Sequence, residues 1–378
     1  MPLTRAAAIE AAVTHGVRLP AAEADTLVAA AQMITARTLA NPALTANYTK
    51  SAPQYHVELE LPIPSPWIRN ARIGSARFAI AAARLRYSFA RAPAALDADT
   101  SYTLAVAAMA RASLSARTAA DADTLLRMAI ARRDAGDASD LDVELARVNA
   151  GQQANAAASD SLALQSALLD LQLAIGLADD SAGVWPTDSL TAPPAADTAV
   201  GEPLGVAAAA ASLRAATSGL TAERRATWAA PSLIAGIETH DPTGSEPGIL
   251  PVIGVALPLP FFDRNRGAVA AAAAEQRRAT AELALVRLES RTEVARARRE
   301  QGAALARIAR GRSVVASATR VAAMSMTAYR EGASTLPNVL EAQRNARDIL
   351  AQYVDDLARA WIASATLHAL TLTASPTP

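Results

Sequence analysis

"LPLPFFDRNRG", residues 257–267, sets two prolines one residue apart in a chain otherwise rich in alanine and arginine, and "LPIPSPWIRN", residues 61–70, does so again. Proline has a fixed φ and no amide hydrogen, so it marks the end of a ladder or the start of a helix rather than the middle of either. Pro258 lies 196 residues after Pro62, and Pro260 lies 196 after Pro64. The same offset carries Gly136 of "RRDAGDASDLDVELARVNA" onto Gly332 of "AYREGASTLPNVLEAQRNA", Val143 onto Val339, Ala146 onto Ala342 and Asn149 onto Asn345. A register held from Pro62 to Asn149 is an internal repeat. The chain therefore reads as two similar halves, 1–178 and 204–378, joined by a Pro-rich irregular linker at 179–203.

Upstream of each proline pair the residues alternate. In "HVELELPIP", 56–64, Val57, Leu59, Leu61 and Ile63 share one face against His56, Glu58, Glu60 and Pro62. The second copy has Ile253, Val255, Leu257 and Leu259 on one face and Val252, Gly254 and Ala256 on the other. Partner strands are expected at "NPALTANYT" from Asn41 and "APSLIAGIET" from Ala230, so each half supplies a β-hairpin, about 41–64 and 230–260. The prolines mark the exit from strand to helix.

Downstream of each pair runs a helix-forming stretch, Pro66 to about Asp134 and Gly267 to about Arg330. Roughly 69 residues at 1.5 Å each reach on the order of 100 Å, with Pro93 a place for a kink. Each stretch ends at a glycine, Gly136 or Gly332, followed three residues later by Ser139 or Thr335 as N-cap of a returning helix. Pro337 fits the first turn of the second returning helix. The returning helices run to about Leu177 and Leu372, and further helices at about 22–40 and 204–229 are expected to stack on them.

Composition bounds the rest. Among 378 residues, 36 Lys and Arg balance 36 Asp and Glu, which gives no support to nucleic-acid binding. There is no cysteine, hence no disulfide, thiolate metal site or acylated N-terminal cysteine. The start "MPLTRAAAIEAAV" has no basic segment leading into an apolar core, and no apolar run of about 20 residues reads as a transmembrane helix. The two strand pairs do suit a transmembrane barrel with a wet, acidic lumen lined by Glu58 and Glu60. Four strands cannot close such a barrel, and open edges are not tolerated in lipid, so other copies must complete it. Three chains would supply twelve strands and wrap the long hairpins into a tube.

Two repeats of hairpin, long helix, Gly-x-x-[ST] tip and returning helix, with "YREGASTLPNVLEAQ" and "LPLPFFDRNRG", make the chain resemble the TolC-type outer membrane factors across residues 3–373. The second proline motif followed by "GAVAAAAAEQ" is most similar to the CzcC-like branch that serves metal-efflux pumps. The resemblance implies an α+β membrane protein: a homotrimer with a 12-stranded β-barrel in the cell outer membrane and a periplasmic α-barrel of long antiparallel hairpins. It implies a non-catalytic duct, passively conducting substrate such as metal cations, without cofactor. Its partners would be outer membrane lipid, a periplasmic adapter and an inner-membrane pump of the resistance-nodulation-division type. It also implies a secretion signal, so the start is expected to be truncated or wrongly called.

By the same resemblance Gly136, Ser139, Gly332 and Thr335 form the periplasmic tips that meet the adapter, and Asp142, Tyr329, Asn338 and Glu341 the aperture. Asp142 and Tyr329 would share a phenol-to-carboxylate hydrogen bond, Ser334 stands where relatives place a basic residue, and three copies of Glu341 would make a cation-attracting ring. Solvated surface positions are the bland alternative for each, and a loop or interface role for Glu58 and Glu60. His15, His56, His240 and His368 have no metal-ligand spacing. A soluble helical scaffold or coiled-coil adapter would explain the helices but not the parity-matched strands. A hydrolytic enzyme has no nucleophile motif to rest on.

Overall fold

The structure, a computed structural model, describes residues 1–16, 19–63, 65–177, 183–194, 201–227, 231–244 and 248–373. Pro64, Ala230, residues 245–247 of the second hairpin loop and parts of the 179–203 linker, all named in the sequence reading, lie outside the described residues. In chain order the elements are β1 (Pro2–Leu3), α1 (Arg5–His15), α2 (Leu19–Arg37), β2 (Ala43–Tyr48), β3 (Tyr55–Pro62), α3 (Pro66–Asp134) and α4 (Asp140–Ala174). There follow β4 (Trp185–Pro186), α5 (Leu204–Arg225), β5 (Ser232–Thr239), β6 (Ile249–Ala256), α6 (Arg266–Arg330) and α7 (Leu336–Thr371). Contacts divide the chain into two compact units, each drawing on both repeats.

One unit comprises Ala21–Phe89 and Leu204–Glu289. Its sheet has the order β2-β3-β5-β6, antiparallel throughout, so the two hairpins are fused by pairing β3 with β5. β3 ends at Pro62, whose missing donor falls at the last rung, while β6 stops at Ala256, before Leu257 and Pro258. The second strand is therefore shorter at its exit than the alternation of Leu257 and Leu259 implies. Met33 and Ala36 of α2 bury against Ala76 of α3. Small residues bring α5 close to α3: a Cβ on Gly74 would lie 3.8 Å from Ser218 Oγ, and one on Gly219 would lie 3.7 Å from Ser75 Oγ.

The other unit comprises Met1–Pro20, Ala90–Pro203 and Ser290–Pro378. Here β1 pairs in parallel with β4, so residues within the linker are strand-paired rather than wholly irregular. Leu3, Ala8, Tyr102, Ala105, Val106, Leu171, Ile175 and Val184 form its core. The Arg5 guanidinium pairs with Asp99, donates to Thr103 Oγ1 at 3.0 Å and lies 3.8 Å from the Trp361 ring centroid. Burial pushes the Asp99 carboxyl up, and Arg5 opposes that rise. Trp361 Nε1 donates to the Thr191 carbonyl at 2.6 Å and Tyr102 donates to Asp188 Oδ2 at 2.7 Å, so the middle of the linker is tied down. α3 runs unbroken through Pro93. Among the described residues no helix is long and apolar enough to cross a membrane.

Candidate functional site

Two surfaces carry the chemistry, one in each unit. The first is the pair of turns ending α3 and α6. Gly136 has φ 84° and Gly332 φ 75°, the left-handed conformation that a Cβ resists. Around Gly136 the Asp137 amide donates to the Arg132 carbonyl at 2.8 Å and the Gly136 amide to Arg133 at 2.9 Å. Around Gly332 the Ala333 amide donates to Ala328 at 2.8 Å and the Gly332 amide to Tyr329 at 3.2 Å. Both are Schellman closures, which satisfy carbonyls that a helix end leaves open.

The returning helices start differently. Ser139 Oγ accepts from the Asp142 amide at 3.2 Å, while Asp142 Oδ2 accepts from the Ser139 amide at 3.1 Å and Oγ at 2.9 Å, a closed capping box. Thr335 holds the N-cap position without a side-chain cap hydrogen bond. Pro337, at the second helical position, has no amide hydrogen to offer it, and Asn338 replaces the acid that closes the first box.

Between the turns lies a small core of Leu125, Ala129, Val143, Ala146, Tyr329, Leu336 and Val339. Tyr329 is 2% exposed, and its hydroxyl has no hydrogen-bond partner among the described residues. Burial raises its pKa, with Arg132 opposing. The expected Asp142–Tyr329 bond is not made within the chain, because the Asp142 carboxylate faces the Ser139 cap. Asn338 and Glu341 are exposed on the first turns of α7, and Glu341 Oε1 accepts from Asn345 Nδ2 at 3.1 Å.

The sequence reading missed Arg132. Its Nη1 donates to the Tyr329 carbonyl at 3.0 Å, its Nη2 to the Asp137 carbonyl at 3.4 Å, and its guanidinium carbon lies 4.8 Å from the Tyr329 ring centroid. Nothing in the repeat pointed to it, since the offset pairs it with Ala328.

The second surface is the sheet. The register aligns Leu44, Leu59, Ala235 and Ile253 across one face, with Leu61, Leu233 and Val255 beside them. This face is open: Ile253 is 82% and Val255 72% exposed. Tyr48 and Tyr55 meet at 5.4 Å, and Tyr55 meets His240 at 5.6 Å, at the hairpin-turn end of the sheet. Exposed Trp67, Phe261 and Phe262 stand at the end where strands pass into helices. The opposite face holds half-buried Glu58 and Glu60, together with His56, whose Nδ1 lies 3.1 Å from Glu238 Oε1 and whose Nε2 lies 3.2 Å from Thr49 Oγ1. β2 and β6 are edges without a further strand partner among the described residues.

No family model matches the sequence. No curated protein matches it either. Solved structures do. A membrane protein from Pseudomonas aeruginosa aligns over 97% of this chain and 93% of its own, at 19% identity and a TM-score of 0.77. The outer membrane protein VceC from Vibrio cholerae aligns over 97% and 96%, at 18% identity and a TM-score of 0.73. The Campylobacter jejuni CmeC outer membrane channel aligns over 97% and 85%, at 13% identity and a TM-score of 0.77. At these identities the likeness establishes a shared fold, that of long paired helices with two β-hairpins.

Proposed function

We propose that the protein is an outer membrane duct, a homotrimer in which three sheets close a 12-stranded barrel and the long helical hairpins line a periplasmic conduit. The observation that carries this reading is the sheet. Its aliphatic face is open to the surroundings between two sets of aromatic side chains, and among the described residues both its edges lack strand partners. Eight-residue strands such as β3 and β6 are about 27 Å long and, at the tilt of barrel strands, cover about 20 Å of the roughly 25 Å apolar band, and aromatic girdles flank such bands. In lipid the edges need strands from other copies. A soluble scaffold has no use for this face.

Glu58 and Glu60 would then face the lumen, and neutral Asn338 with charged Glu341 the aperture, so the three glutamates give the path acidic rings that favour cations. Metal cations are the cargo proposed, as in the CzcC-like branch that the proline motif resembles. Gly136, Ser139, Gly332 and Thr335 would meet a periplasmic adapter, which couples the duct to an inner-membrane pump of the resistance-nodulation-division type. Passage through the duct itself is passive.

Expression with a secretory leader, extraction in detergent and reconstitution into planar bilayers test this reading. A cross-linkable trimer with cation-selective conductance is expected. A monomer that leaves bilayers sealed contradicts it.

A further inference from the structure

We propose that Arg132 is a brace between the two turns, a positioning residue that holds the second tip against the first and so sets the resting width of the aperture. The guanidinium comes from the last turn of α3, yet two of its three contacts belong to the end of α6. It donates to the Tyr329 carbonyl at 3.0 Å and packs 4.8 Å from the centroid of the Tyr329 ring. Its other donor returns to the Asp137 carbonyl of its own turn at 3.4 Å. A cation set where two helices end lies at the negative ends of both dipoles, and it shares the Tyr329 carbonyl with the Gly332 amide, which favours its charge at that place. Stacking on a ring that is itself 2% exposed limits its motion further.

The other polar groups nearby do not span the turns. Among the described residues Asp142 is engaged by Ser139, Arg133 pairs with Asp134 of its own turn at 2.6 Å, and the Tyr329 hydroxyl has no hydrogen-bond partner. The repeat is unequal here: the 196-residue offset sets Ala328 against Arg132 and Tyr329 against Arg133, so the first tip supplies the cation and the second the ring, once per chain. The brace also lies beside the proposed docking glycine. A Cβ built on Gly332 would sit 3.9 Å from Arg132 Nη2, so a partner that grips that turn meets the guanidinium. Engagement of a partner at Gly332 thereby competes with the contact that holds the tips together.

The contact between tips stands on this geometry alone, while its effect on the aperture rests on the duct reading, and two readouts separate them. The chain has no cysteine, so Asp137→Cys and Glu331→Cys introduce the only thiols, for nitroxides diluted with unlabelled chain. Double electron–electron resonance reports the tip-to-tip distance, and single-channel recording reports conductance. Arg132→Ala is expected to lengthen and broaden the distance distribution and to raise conductance several-fold, with circular dichroism unchanged. Arg132→Lys, which keeps the charge but loses the forked donor, should fall between. Arg133→Ala, the same charge lost one residue away, should behave as wild type. An unchanged distance in Arg132→Ala, or an equal change in Arg133→Ala, overturns the brace whatever the bilayer shows. An altered distance with wild-type conductance overturns its link to the aperture. Failure of the wild type to conduct counts against the duct, and the distances still decide the brace.

Discussion

Glu58 lies opposite Gly236 in the β3–β5 register, and its side chain occupies the space that a side chain at 236 would need. A Cβ there would come within 2.7 Å of the Val57 carbonyl oxygen and 3.0 Å of Glu58 Cγ. The first is backbone and cannot step aside. Gly236→Ala is therefore expected to destabilise the sheet by about 1–3 kcal/mol, the usual range for overpacking. Gly254→Ala, whose Cβ would meet Ile234 Cβ at 3.7 Å, should be nearly neutral. Thermal melting of the detergent-extracted assembly compares the two.

The turn glycines separate backbone strain from crowding. A Cβ on Gly136 would meet nothing within 4 Å, so any loss there reflects its φ of 84° alone. Val at 136 or 332 should strain its turn by about 1–3 kcal/mol, while Asn, which tolerates the left-handed region, is expected to lose much less. Gly332→Val should leave assembly and membrane insertion intact and abolish complementation of efflux, with Gly332→Asn retaining it. Equal behaviour of Val and Asn would show that the turn conformation is not what the partner reads.

The two N-caps are unequal, and their substitutions should be too. Ser139→Ala breaks a closed capping box and is expected to lower stability by about 1 kcal/mol. Thr335→Ala removes a side chain with no cap hydrogen bond and should change little. Hydrogen exchange at the first turns of α4 and α7 resolves each effect at its own helix.

Tyr102 and Asp188 give a pH signature. The Tyr102 hydroxyl, donating at 2.7 Å, holds the Asp188 carboxyl below its ordinary value. A depressed folded-state pKa contributes stability that is present above the unfolded pKa and lost as pH falls through the folded one. Tyr102→Phe lets that carboxyl rise toward its ordinary value of 3.8. The stability gap between Tyr102→Phe and wild type should be widest at neutral pH and narrow as pH drops below the carboxylate range. Denaturant titrations at a series of pH values measure it, and a gap constant with pH would assign the loss to packing alone.

The sequence was readable where one residue type has one physical use. Alternation in 56–64 and 252–259 marked the strand faces, though the strands end at Pro62 and Ala256, and Gly136 and Gly332 marked the turns, because parity and positive φ are local properties. Fusion of the hairpins through β3 and β5 is a long-range pairing, and no local pattern encodes it. The two-residue strands Pro2–Leu3 and Trp185–Pro186 are too short to show alternation. Arg132 escaped notice because it addresses main-chain carbonyls, which carry no side-chain signature. Thr335 looked like a working cap because its residue type suits the position, while the effect of Pro337 on the available amides appears only in the geometry.

Lipid contact of one sheet face decides the central claim most directly. In a chain without cysteine, single nitroxides can be placed in turn at Ile249, Leu250, Val252, Ile253, Val255 and Ala256 of β6, and the protein reconstituted into liposomes. Collision with oxygen, which concentrates in lipid, should dominate at 249, 253 and 255. Collision with a water-soluble nickel complex should dominate at 250, 252 and 256, a period of two along the strand. Uniform access to the nickel complex, or no alternation between neighbouring sites, would contradict a barrel wall in the membrane.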